Sequence, residues 1–173
     1  MEGRTSVNKI YENCLWSAAA HAVYVVKNPY FAAEQSWDGE NYSFLYGETR
    51  GTMSFDIDEG ILAGAARDAE SERCKGFPDA DAMDLFANAP DEVKELAEQE
   101  AIQYLFDEVG GVEKPMITTA FWCVGDDVTI PDGEEFSKHG GEYPLIALSS
   151  FEEVRAYWLG QYKLSAEETA LAD

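Results

Sequence analysis

The chain has 173 residues, with 34 Asp and Glu against 12 Lys and Arg, a formal net charge of -22 at pH 7. A field that negative repels nucleic acid and anionic membrane surfaces and attracts cationic ones. The hydrophobic fraction of 46% supplies a real core, so the acidity is not the mark of a disordered tail, and the length fits one domain over 1–173.

Residues 5–27 read as a helix, because Val7, Tyr11, Cys14, Leu15, Ala18, Ala22 and Val25 recur at steps of three and four. Thr5 or Ser6 suits its N-cap, and Asn28-Pro29 should stop it, since a residue before proline is pushed out of the helical region. The β-branched stretch Val23 to Val26 is also compatible with a strand. An antiparallel meander follows. A strand over 32–37 leads into an Asp38-Gly39 turn and a return strand from Asn41 to Tyr46. A loop from Gly47 to Gly51 precedes a strand from Thr52 to Ile57. There Met53, Phe55 and Ile57 form an apolar face, and Thr52, Ser54 and Asp56 a polar one, as expected for a sheet with one wet side. The stretch 61–67, ILAGAAR, is ambiguous; it is read as a fourth strand whose small residues allow close approach of another backbone.

Asp68 to Lys75 reads as a loop. Pro78 and Asp79 open a short helix over 79–88, and Pro90 starts a longer one over 91–109, ended by Gly110-Gly111. Val93, Ala97, Ala101 and Tyr104 mark its apolar stripe, and Asp91, Glu92 and Glu95 favour its positive N-terminal end. Residues 115–124 are a strand, Asp126-Asp127 a turn, Val128 to Ile130 a short strand, and 132–139 a short helix before Gly140-Gly141. Tyr143 to Leu148 is read as a strand. The last helix, 150–163, opens with the capping-box spacing of Ser150 and Glu153, and 164–173 should fray. The fold class expected is α+β: a mostly antiparallel sheet packed against helices 5–27, 91–109 and 150–163.

The three cysteines, Cys14, Cys74 and Cys123, show no paired spacing, which argues for free thiols in a reducing cytoplasm. The first sixteen residues lack a charged segment followed by an apolar one, so no signal peptide is expected, and no run reaches the length of a membrane span. His21 and His139 have no partner at zinc-ligand spacing, and Asp56 to Gly60 departs from a calcium loop because Gly60 falls where a ligand is needed. Cys14 and His21 are two helical turns apart, too far for a nucleophile–base pair. Cys74, flanked by Arg73 and Lys75, is the one thiol whose neighbours should lower its pKa. Phosphate-binding glycine loops and nucleophile elbows are missing, and no catalytic residue, metal or cofactor is expected.

The charge is uneven. Residues 76–113 hold eleven acids against Lys94, a local balance of -10. Within them Asp91, Glu95 and Glu98 point away from the apolar stripe and should be exposed, with Glu92 beside them; such a face steers a basic partner. Trp37, next to Asp38, is the expected exposed aromatic, a residue type enriched in interfaces. The runs Trp37-Asp38-Gly39-x-Asn41-Tyr42, Arg50-Gly51-Thr52-Met53-Ser54-Phe55 and Gly64-Ala65-Ala66-Arg67-Asp68, with Ser71 and Arg73, cover about the second quarter of the chain. They resemble small acidic bacterial proteins of polymorphic-toxin immunity families. The resemblance implies a cytoplasmic inhibitor of a toxin domain. Together the residues point to a non-catalytic acidic intracellular protein that binds a basic protein through Trp37, Asp38, Asp91, Glu92, Glu95 and Glu98. The alternatives are a small carboxylate-dependent enzyme and a structural or oligomerising module.

Overall fold

A computed structural model describes residues 6–76 and 79–173. The first helix, α1 (Ser6–Lys27), forms over the predicted span, but the predicted stripe is corrected. Val7 and Cys14 turn inward with Ile10, Asn13, Ser17, Ala20 and His21, while Leu15 and Ala22 are exposed. The reason is that the helix packs against the sheet and a later helix, residues 151–162, over a broader face that accepts small and polar residues. Thr5 lies outside the described residues. At the helix start the Ser6 N–H donates to Asp126 Oδ1 at 2.7 Å, so a distant loop supplies the cap. Val23 to Val26 are helical, and the helix stops at Asn28, where Pro29–Phe31 form a 3₁₀ turn.

Strands β1 (Gln35–Asp38), β2 (Asn41–Tyr46), β3 (Thr49–Asp56) and β4 (Ile61–Asp68) form the expected meander, with tighter turns than the sequence suggested. Asp38 pairs with Asn41 and Tyr46 with Thr49, so the loops are Gly39-Glu40 and Gly47-Glu48, and Thr49 to Gly51 belong to the ladder. Residues 32–34 lie outside β1, which starts at Gln35.

After a 3₁₀ turn at Glu72–Gly76, another spans Ala82–Phe86, capped by the Asp81 carboxylate, which accepts from the Met83 N–H. Pro78, the expected helix opener, lies outside the described residues. The expected helix over 91–109 is corrected: α2 runs only Asp91–Gln99, a 3₁₀ turn covers Ala101–Tyr104, and β5 (Phe106–Val109) then pairs with β6 (Val112–Pro115). The reason is the turn. Gly110 and Gly111 both take positive φ, +62° and +80°, the conformation that closes a two-residue hairpin between Val109 and Val112.

Strand β7 (Thr119–Val124) pairs with β4, and β8 (Asp127–Thr129) with β7, giving a six-stranded antiparallel order β1-β2-β3-β4-β7-β8. Of residues 143–148, expected as a strand, Tyr143 to Ala147 belong instead to α3 (Glu142–Ala147) and Leu148 is its C-cap. Leu145 makes the first helical bond, to the Gly141 carbonyl, so Pro144 sits in the first turn where its missing N–H costs nothing. Helix α4 (Phe151–Tyr162) carries the expected Ser150/Glu153 capping box. The stretch 164–173, expected to fray, forms α5 (Ala166–Ala172) behind a second capping box, Ser165/Glu168. Lys27 pairs with Glu168, while Arg155 and the Trp16 indole N–H both bond the Asp173 carboxylate, so side chains from two other helices hold it down.

The expectation of a sheet with one polar side is also corrected. Leu62 and Ala66 of β4, with Phe121 and Cys123 of β7 and Met53 and Phe55 of β3, pack under α1. Ala63, Ala65, Ala120 and Trp122 pack on the other side against Phe86, Val93 and Ala97 of α2, and Ala101 of the 3₁₀ turn after it. Thr52 and Ser54, assigned to the wet face, are completely buried there. A third cluster joins Trp16 and Ala20 of α1 to Val154, Trp158 and Tyr162 of α4 and to Ala172 of α5. Among the described residues, no helix is long and apolar enough to cross a membrane.

Two outcomes are expected. A Cβ on Gly64 would lie 2.1 Å from Cζ of the fully buried Phe121 ring, so Gly64→Ala should destabilise the protein by about 1–3 kcal/mol in denaturant unfolding. An unchanged midpoint would show that the ring yields freely. The second outcome concerns α5. Lys27, with the Ser165 N–H, holds the Glu168 carboxyl down to about 2 from its ordinary 4.5. A depressed folded-state value means the contact is complete above about 4.5 and lost as pH falls toward about 2. Amide-exchange protection of 166–172, corrected for the intrinsic exchange rate, should fall between about pH 5 and about pH 2, and Glu168→Gln should flatten that dependence.

Candidate anionic interface

Helix α2 presents its acids as its spacing requires. Val93 and Ala97 are buried, which turns Asp91, Glu92, Glu95 and Glu98 to solvent. Lys94 lies within 3.7 Å of Asp91, and Gln99 donates to Glu95 Oε1 at 3.0 Å. Asp38 is exposed at the end of β1. Trp37 is placed differently from the expectation. Register sets it opposite Tyr42 on the α1 side of the sheet, half-buried, with its ring 5.4 Å from Tyr11 and 6.0 Å from Phe55. Its indole N–H is buried without a hydrogen-bond partner. Trp37 therefore seals the core edge and is not a free aromatic.

Packing of α2 and the following 3₁₀ turn across the sheet brings Asp38 to a place that sequence spacing does not show. The Tyr104 hydroxyl donates to Asp38 Oδ2 at 2.8 Å, and the Asn41 amide donates to Glu100 Oε2 at 2.9 Å and to the Tyr104 oxygen at 3.2 Å. These groups line an open groove of about 400 Å³ whose charged walls are Asp38, Glu40, Asp56 and Glu100, with no base among them. Leu96 forms part of the wall, and Glu92 lies one helical turn before it on the same row, so Glu92 follows that wall along α2, while Asp91, Glu95 and Glu98 are on neighbouring rows of the helix. Burial, reinforced by Asp38 and Glu100, pushes the Tyr104 hydroxyl up to about 12, so it stays a donor to Asp38. Asn41, Tyr104 and Glu100 were missed as site residues. Tyr104 read as part of an apolar stripe, and nothing in the spacing links positions 38 and 100.

Nucleophilic and metal chemistry are poorly served. Cys74 is not activated: burial outweighs the nearby Arg67 and raises its pKa, and its Sγ donates to the Asp68 carbonyl. Burial raises Cys14 strongly and lifts Cys123 to about 11. Ser71 and His139 form a hydrogen-bonded pair at 2.8 Å, but they are only 6% and 4% exposed, which closes the hydroxyl to a substrate. Their neighbourhood is a clamp. Arg73 forks onto Asp132, Thr119 donates to the same carboxylate, and the Thr118 hydroxyl donates to the His139 carbonyl, joining the turn after β4 to the turns after β8. Asp56 Oδ1 accepts from the Glu59 N–H, closing an ordinary hairpin loop where a calcium loop was weighed. Among the described residues, no group of three or more His, Cys, Asp or Glu side chains is arranged to hold a metal ion.

No protein-family model, curated protein or solved structure matches the chain.

Proposed function

We propose that this chain is a non-catalytic binding protein whose partner is a basic protein, received on the face formed by the Asp38/Glu40/Asp56/Glu100 groove and the exposed acids of α2. The observation that carries this reading is convergence: three separate stretches of chain bring four carboxylates to one groove without a single base in its walls. The interactions within the groove come from neutral donors, Tyr104 and Asn41, which orient Asp38 and Glu100 while leaving their charge in place. Such a surface raises the encounter rate with a cationic protein and occupies positions that nucleic-acid phosphates would take on it. The narrower form of the proposal is a cytoplasmic immunity protein that neutralises a toxin domain by covering its cationic surface.

The test is stopped-flow association with cationic proteins across a salt series. Neutralising Asp91, Glu92, Glu95 and Glu98 together to Asn or Gln should slow association about tenfold at low salt, leave dissociation little changed, and converge with the unaltered protein at high salt. A flat salt response of the unaltered protein removes the proposal.

A further inference from the structure

The solvent side of α1 carries no charge where a surface helix normally does. From Asn13 to Val26 the helix runs without an Asp, Glu, Lys or Arg, in a chain of which 27% is charged. On its outward side Leu15, Ala19, Ala22 and Val26 follow at steps of four, three and four, which puts them on one stripe. Leu15 is 43% exposed and Val26 81%, and Tyr30, just past the helix, is 97% exposed. We propose that this stripe is the contact between two copies of the chain, packed as antiparallel helices about a two-fold axis between Ala19 and Ala22.

The other faces of α1 are already filled. Val7, Ile10 and Cys14 pack with the sheet, and Trp16 and Ala20 pack with Val154, Trp158 and Tyr162 of α4. Tyr24 stacks on Tyr162 on that same side. The stripe points away from both, and apolar surface left together in this way marks a site of association.

The order of the stripe selects a second copy as its occupant. A two-fold contact needs a surface that fits itself, so that residue i meets j while j meets i. Large, small, small, large at steps of four, three and four reads the same in both directions. Turned antiparallel, Leu15 of one copy meets Val26 of the other at each end, and Ala19 meets Ala22 at the centre. Alanines at the crossing let the two axes approach to about 8 Å, the short end of the range for packed helices.

The charges at the rim agree with that register. Helix α1 holds Lys9, Glu12 and Lys27, one more base than acid, in a chain with a net charge of -22. Lys27 of one copy falls about two residues, or about 3 Å along the axis, from Glu12 of the other, on the same flank. The Lys27 side chain is 73% exposed, and its pairing with Glu168 leaves further ammonium donors free for a second carboxylate. The stripe itself sets no carboxylate against its copy. Its size sets the strength: about 17 Å of a helix about 10 Å wide covers less than the ~1,200 Å² of a standard interface, so the dimer is a transient one. The contact is independent of the groove. Helices α1 and α2 lie on opposite sides of the sheet, so α2 stays free in both copies.

Sedimentation equilibrium of the whole chain tests this, from about 10 μM to about 1 mM, the range suited to so small a contact. A monomer–dimer equilibrium is expected that tightens as salt screens the repulsion between two strongly negative molecules. That sign is opposite to the salt response of a cationic protein at the groove, so the two proposals fail separately. In a dilution series followed by amide NMR, residues 15, 19, 22 and 26 should shift and residues 91–99 should not. Ala22→Glu and Val26→Glu each place a good helix former at an exposed position, so circular dichroism should be unchanged while dimerisation weakens about tenfold or more. A monomer at every concentration and salt overturns the proposal and leaves the stripe to a partner of another sequence. A dimer whose shifts fall on another surface overturns it too, as does one that both glutamates leave intact.

Discussion

The architecture depends on one strand that is crowded on both sides. In β4 the residues Leu62, Ala63, Ala65 and Ala66 are all fully buried, and Gly64 between them carries the Phe121 ring where a side chain would stand. On one side, the missing Cβ leaves room for the tip of the Phe121 ring, which packs in the core with Val7, Ile10 and Cys14 of α1. On the other, Ala63 and Ala65 face Ala97 and Ala101, so α2 can settle close to the sheet. Interiors packed to crystal-like density leave little room for adjustment, which is why a chain with such small residues at its centre still forms two cores.

That layering also explains how a strongly acidic chain stays folded while keeping a charged face. Ion pairs are used where separate segments must be joined. Arg73 ties the turn after β4 to Asp132, Arg67 of β4 ties the β5–β6 hairpin through Asp107, and Lys27 and Arg155 hold α5. The groove beside α2 receives none of them; its Asp38 and Glu100 carboxylates are oriented by Tyr104 and Asn41. Like charges held together in this way cost stability, and a cationic partner would relieve that cost, which is the physical content of the proposed function.

The legible parts of the fold were those set by local pattern. The span of α1, the β1–β4 meander, the Asn28-Pro29 stop and the Ser150/Glu153 box each rest on neighbours within a few residues, and each was found near its predicted place. The failures share a cause. Val109-Gly110-Gly111-Val112 is equally a helix stop and a hairpin turn; pairing with β6 selected the turn. Tyr143 to Leu148 has β-forming residues, yet it became helical, packed beside α1 and α4. Trp37 sits next to a turn and reads as exposed, whereas register alone puts it against Tyr11 and Phe55.

The sequence by itself determined the α+β class, the order of the early strands, the free thiols and the exposure of Asp91, Glu92, Glu95 and Glu98, because periodicity and charge are read along the chain. Tertiary structure alone decided that the sheet is covered on both sides, that 164–173 is pinned, and that Asp38 meets Glu100 and Tyr104. These are meetings between residues up to 157 positions apart, as far as Trp16 from Asp173, and they follow from tertiary packing, which leaves no trace in local spacing.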